Sequence, residues 1–417
     1  MQPFRVLSLD GGGSWALIQV RALMALYGPD ATGHQVLGHF DLAAANSGGS
    51  IVLGCLIENF TLQQSLDFLN DESKRRSVFS AAGWFDRALH DAIGIGPKYS
   101  AENKLPALQH VFVKRGNLSV SDAVADIAGA GGQPLHVLIA AFDYDRNRST
   151  FFRSRPVSGP SWGSGAKAAV TLAEAIHASS NAPLNYFDGP AAFPDQDCRY
   201  WDGAITGCNN PVLAGVTEAI GLGQAHDNII ALSLGTGNTA LPWPRPGEAS
   251  SLYTQVVPKA DFKSDLRKMA TAILDDPPDA STFVAHVMTG CGAGLDPRVS
   301  KTRIIRMNPL VSPRRSQAGS SDPWCPPGDM TAAQFMYMLN LDMDAVDQAQ
   351  VFAINHFTDL WLKDQVRNQP IRMNSDTLEC ELGQETFSAA LEAWKQISVA
   401  KPPEAGAEPP AVGADRP

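Results

Sequence analysis

The stretch "FRVLSLDGGGSWALIQV", residues 4–20, limits the possible folds more than any other. An apolar run, Phe4–Leu9, reads as a buried strand. It ends at Asp10, three glycines follow at once, and a helical pattern runs over Trp15–Tyr27. Glycine loses more backbone freedom on folding than any other residue, so three in a row between a strand and a helix are costly. Such a turn makes sense where backbone N–H groups must approach another group with no side chain in the way. Similar strand-to-turn junctions recur. Phe40–Ala45 ("FDLAAA") runs into Ser47 and a helical pattern over Gly48–Ile57, and Asn228–Leu234 ("NIIALSL") ends at the glycines of "GTG". Leu135–Phe142 is a continuous apolar run, the mark of a central strand covered on both faces. Strands alternating with helices predict an α/β sheet with helices on both sides.

The 417 residues are 44% apolar and 18% charged, which suits a globular chain with a large core. The net charge of −10 argues against nucleic acid as the main partner. No secretory leader is read at the N-terminus, and no apolar run approaches the roughly 20 residues needed to span a bilayer. Six scattered cysteines without a CxxC pair read as reduced thiols of a cytosolic chain, not as a disulfide frame or zinc site.

Two segments carry chemistry. In "FDLAAANSGGSIVLG" small residues surround Ser47, as a serine on a tight strand-to-helix turn requires. With Ala45 in the first glycine position this is nearly a G-x-S-x-G nucleophile elbow. The other reading of Ser47 is a helix N-cap. In "RYWDGAITGCNNPVLAG", Asp202 ends a short strand at Arg199–Asp202, and Asn210-Pro211 starts a helix over Val212–Ile220. Taken alone, Asp-Gly is a turn signal. Together the pieces meet the needs of acyl transfer: a nucleophile in Ser47, a base in Asp202, and oxyanion donors in the N–H groups of Gly11, Gly12 and Gly13.

In the same order along the chain, "LDGGGSWA", "ANSGG", "WDGAITGCNNP" and "LSLGTG" resemble the motifs of the patatin-like phospholipases. Weaker matches are "GPKYSAENKLPALQHVF" and "HASSNAPLNYFDG". The resemblance covers roughly residues 4–240. It implies a patatin-type three-layer α/β/α fold with a mainly parallel central sheet. It also implies a Ser47–Asp202 dyad without histidine and an oxyanion hole at Gly11, Gly12 and Gly13. The expected activity is a phospholipase A-type hydrolysis of acyl esters, with a phospholipid or other acyl-ester substrate, peripheral contact with the membrane and no metal or organic cofactor. Two departures stand out. Trp15 replaces the family's arginine, which removes a fixed charge and offers an apolar wall for an acyl chain. Ala45 adds a methyl group at a crowded turn. Other readings on the same residues are a non-lipid esterase or acyltransferase, or a catalytically weak regulatory or effector protein.

The expected organisation is a catalytic core at 1–240, a mainly helical part at 241–398, with one strand at Thr302–Met307, that completes or covers it, and a disordered tail at 399–417. His177 reads as a packed or capping residue, and Asp143 and Asp145 as a polar turn. "ESKRRSVF" reads as a solvated helix face, with a lid or lipid-contacting element as the sharper alternative. "FMYMLNLDM" at 335–343 reads as helix core.

Overall fold

The computed structural model describes residues 2–78, 99–155, 169–183, 186–193, 197–244, 251–255, 277–291, 302–320 and 322–399, apart from 319 and 375. Parts of the helical readings at 61–130 and 262–290, and the tail beyond Val399, lie outside those residues. Val399 itself ends a helix, Phe387–Val399.

The strands are β1 (Phe4–Leu9), β2 (Leu42–Ala45), β3 (His136–Asp143), β4 (Arg148–Arg153), β5 (Ala191–Ala192), β6 (Arg199–Asp202), β7 (Ile229–Leu234), β8 (Asn238–Thr239) and β9 (Ile304–Met307). Among the described residues the main sheet has the order β5-β6-β3-β2-β1-β7-β9, with β4 paired to β3. β1 pairs in parallel with β2 and β7, β2 with β3, and β7 with β9. Within that sheet, antiparallel pairing among the described residues is confined to β3–β4, β3–β6 and β5–β6. The fold is therefore α/β, with a mostly parallel mixed sheet between helical layers and a helix-rich C-terminal region.

Successive side chains of a strand point to opposite faces, and the core divides accordingly. Leu7, Leu9, Ala43 and Leu234 pack under helices Leu17–Tyr27 and Ser47–Ile57. Val6, Leu42, Ala44 and Ile304 pack under helices Val212–Gly221 and Pro277–Met288. All eight are fully buried, so truncating any of the larger ones to alanine would cost on the order of 2–5 kcal/mol. Helix starts are locally specified: Thr61 with Gln64, and Thr171 with Glu174, form reciprocal capping boxes.

The boundaries differ from the sequence reading where backbone partners intervene. The first helix begins as a 3-10 turn, Gly13–Ala16, and becomes α-helical at Leu17. The Ser14 N–H donates to the Met343 carbonyl at 3.0 Å, and the Trp15 N–H to Gly12 at 3.1 Å. β9 bears out the strand expected at Thr302–Met307 and joins the main sheet beside β7, while short ribbons not expected form at Arg314–Arg315 with Trp324–Cys325 and at Arg372–Met373 with Cys380–Leu382. The C-terminal region is thus less purely helical than its periodicity suggests. No described helix is long and apolar enough to cross a membrane, and none of the six cysteines forms a disulfide.

Candidate active site

The parallel strands β1 and β2 end side by side, with Leu9 opposite Ala45, so the glycine turn and the serine turn leave the sheet at the same edge. Open α/β sheets bind ligands at this carboxyl edge. Ser47 adopts φ +49°, a left-handed conformation rare for a residue with a side chain and held only where the surroundings enforce it. Its N–H donates to the Ser179 hydroxyl at 3.0 Å, and the preceding Asn46 N–H bonds the Leu9 carbonyl at 3.1 Å. A Cβ on Gly48 would stand 2.5 Å from the Gly13 carbonyl oxygen. The elbow therefore tolerates no side chain there, and this steric demand made the motif legible in the sequence.

Asp202 ends β6, which pairs antiparallel with β3 and brings the carboxyl beside the elbow. Its carboxyl accepts from the Ala204 N–H at 2.9 Å and the Asn46 side-chain amide at 3.0 Å. The Ser47 side chain lies beside it and favours its ionised form. Ser47 is 6% exposed and Asp202 2%. Burial pushes the Asp202 carboxyl above the usual carboxylate range, opposed by the Ser47 side chain, by the two hydrogen bonds and by the charge of Lys104. The local start of the next helix differs by one residue from the sequence reading. Pro211 caps it, and the Asn210 carboxamide oxygen accepts the Val212 N–H at 3.0 Å.

The glycine turn divides its donors. The Gly11 N–H is engaged with the Asn209 carbonyl at 2.8 Å. The Gly12 and Gly13 N–H groups meet no acceptor among the described residues. Gly12 has φ +149° and Gly13 φ +55°, and a Cβ on Gly13 would run into the Met343 carbonyl. Below the turn, Asp10 forms a buried ion pair with Arg306 of β9 at 2.6 Å, and Arg306 also donates to the Ser233 hydroxyl at 2.8 Å. The sequence reading missed Arg306, a charged residue inside an otherwise apolar strand pattern.

Residues Asp342–Asp347 lie against the turn; the helix expected through 343 ends at Leu339, so Asp342 and Met343 fall in the following loop, and Asp344–Asp347 were missed. Ser14 donates its N–H to Met343 and its hydroxyl, at 2.5 Å, to the Asp344 carbonyl. The Tyr99 hydroxyl bonds the Asp344 carboxyl at 2.6 Å, and Tyr186 bonds Asp342. Arg75, 4% exposed rather than part of a solvated face, donates to the Val346 carbonyl at 3.1 and 3.0 Å. Met343 lines the cavity at Ser47 together with Gly13, Ser180, Tyr186 and Phe187, and about 10 Å³ remains. That is room for no more than one water.

Trp15 does not line this cavity. It is 8% exposed within the core, its ring packs over Gly237, and its indole N–H donates to the Asp342 carbonyl at 3.1 Å. His177 is buried and held neutral. Burial first, then the charge of Lys104, bring it down to about 3. Asp143 and Asp145 are held by Arg146 and Arg199, as a polar turn would be. Among the described residues no group of three His, Cys, Asp or Glu side chains could hold a metal ion. A larger groove of about 800 Å³, lined by Phe60, Phe68, Lys74 and His110 among others, contains none of the residues at Ser47.

A family model described as "Patatin-like phospholipase" matches residues 7–216. No curated protein matches. Among solved structures the chain is similar to VipD from Legionella pneumophila, with 10% sequence identity and a TM-score of 0.32 over 86% of this chain and 67% of that one.

Proposed function

The chain belongs to the patatin-like phospholipase family, and from that premise we propose that it is a serine lipid acyl hydrolase working through Ser47 and Asp202. The observation that carries this reading is the strained elbow that sets Ser47 beside the buried Asp202 carboxyl, whose ionised form the Ser47 side chain favours. Asp202 takes the Ser47 proton as Ser47 Oγ attacks the ester carbonyl. The Gly12 and Gly13 N–H groups receive the developing oxyanion, while Gly11 shapes the turn. Asp202 returns the proton to the leaving alcohol, a lysolipid when the substrate is a phospholipid. Water then gives a proton to Asp202 as it attacks the acyl-enzyme carbonyl, and Asp202 returns that proton to Ser47 Oγ as the acyl–Oγ bond breaks and the fatty acid leaves. An aspartate is a weak base at its ordinary pKa near 3.9, and the upward shift caused by burial improves it. Neutral His177 takes no proton.

With about 10 Å³ at Ser47, an ester enters only after Asp342–Asp347 moves aside. We take Trp15 as an anchor of that segment and not as an acyl wall. Residues 241–398 complete the catalytic core of 1–240, a division supported by β9 in the sheet and Arg306 beneath the glycine turn. Substrate contact at a membrane is peripheral. The closed cavity favours one second reading, a patatin-shaped regulatory protein with weak turnover.

The test is hydrolysis of a phospholipid panel by wild type, Ser47→Ala and Asp202→Asn, with fluorophosphonate labelling alongside. Loss of hydrolysis and of labelling in Ser47→Ala is expected. Unchanged hydrolysis in either variant sinks the dyad, and a wild type that is neither labelled nor active leaves the regulatory reading.

A further inference from the structure

Lys104 lies in the helix Ala101–Val111 and is fully buried. An ammonium taken out of water is costly unless other groups compensate it. Among the described residues no carboxylate forms an ion pair with it. Its Nζ donates to the carbonyl oxygen of Ser180 and stands 4.2 Å from the ring centroid of Phe187. Both residues line the cavity at Ser47.

The flanking residues explain what that contact holds. The Ser179 hydroxyl accepts the Ser47 N–H at 3.0 Å, and the Asn181 carbonyl accepts the Asp202 N–H at 3.0 Å. Three consecutive residues therefore hold the nucleophile's backbone, the buried cation and the base's backbone in turn. Each is at least nine-tenths buried.

We propose that Lys104 is the positioning residue of the dyad: it pins the Ser179–Asn181 segment from behind the cavity wall, and so holds the backbone of Ser47 and Asp202 in place with a positive charge behind them. This rests on the Ser47–Asp202 reading above. The charge coupling runs both ways. Lys104 lowers the Asp202 pKa against the effect of burial, and Asp202 raises that of Lys104, which burial brings down to about 7. The other ionisable groups on the packed elements are otherwise engaged. Asp188 accepts the Ala101 N–H at 2.8 Å, Glu174 caps its own helix at Thr171, and Arg75 is turned to the Leu69 and Val346 carbonyls. Asp143 is held by Arg146, and His177 is neutral.

The sign follows. Asp202 must be ionised to accept the serine proton, so removing a nearby cation raises its pKa and moves the acid limb of activity to higher pH. The test compares wild type, Lys104→Met and Lys104→Gln, read as kcat/KM for a soluble p-nitrophenyl acyl ester and as the rate of fluorophosphonate labelling of Ser47, from pH 4 to 9. Glutamine keeps a donor for the Ser180 carbonyl and removes the charge, so it remains informative where methionine fails to fold. Circular dichroism and the unfolding midpoint establish folding. The acid limb is expected to move up by about one pH unit in both variants, the effect of losing one close opposite charge. A uniform rate loss with the limb in its wild-type place overturns the proposal and leaves Lys104 structural, as does failure of both variants to fold. Activity and labelling retained in Ser47→Ala, or absent from wild type, remove the dyad itself. Lost activity in Ser47→Ala with no limb shift in Lys104→Gln removes only this proposal.

Discussion

Replacing Arg306 by methionine tests whether the C-terminal region supports the glycine turn. Arg306 and Asp10 are 2% and 3% exposed, and their closest N–O distance is 2.6 Å. Methionine fills much of the volume but leaves Asp10 charged and buried without its cation. Two unit charges ~4 Å apart at an effective dielectric of about 20 attract by ~4 kcal/mol. Removing one partner of a buried pair costs about 3–5 kcal/mol. A domain is stable by only ~5–15 kcal/mol, so the shift should be plain in urea unfolding followed by tryptophan fluorescence and far-ultraviolet circular dichroism. Removing both charges relieves the stranded carboxylate. Asp10→Asn combined with Arg306→Met should therefore recover at least ~2 kcal/mol relative to Arg306→Met alone. Because Asp10 precedes the glycine turn, Arg306→Met should also slow Ser47 labelling without urea by ~10- to 100-fold, the order expected for a small misplacement of reacting groups. A loss below ~1 kcal/mol, or strictly additive single and double variants, would refute the claim that this pair is desolvated and coupled.

Three further outcomes follow from the geometry. Asp202→Asn should be more stable than wild type at pH 7 while losing ~10²–10⁴-fold in turnover. A carboxyl whose folded pKa lies above its unfolded value opposes folding when ionised, so wild-type stability should rise as the pH falls through the folded pKa towards the unfolded one, and the asparagine variant should lack this rise in urea titrations. Tyr99→Phe combined with Tyr186→Phe removes two hydroxyl bonds to Asp344 and Asp342. Fluorophosphonate should then label Ser47 ~10-fold faster, and an unchanged rate would mean that Asp342–Asp347 does not limit access. A chain ending at residue 240 lacks β9, Arg306 and the Trp394 ring that stacks on Phe40 at 5.8 Å. It should show no cooperative unfolding, and a soluble, cooperatively folding fragment contradicts that.

The sequence by itself determined the parts whose constraints act within a few residues. Apolar runs become strands because alternate side chains must enter a core on both faces. Gly12, Gly13 and Gly48 are required because a Cβ at each would strike a neighbouring residue. Ser47 and Asp202 could be named for the same reason, since each sits at the end of a strand whose short turn fixes its direction. What only the tertiary structure decided is set by partners far away in the chain. Lys104 looks like one more polar residue of a helix until the Ser180 carbonyl, 76 positions on, meets its ammonium. Arg306 interrupts an apolar pattern until it reaches Asp10 across 296 positions. Trp15 stands in the place of a charged motif residue, yet its indole N–H is committed to Asp342, 327 positions away. Local pattern reports which face a residue turns to the core, because periodicity is a short-range geometric demand. Which buried charge meets which carbonyl or carboxylate is fixed only when the strands take their order in the sheet, with β7 brought beside β1 and β9 beside β7.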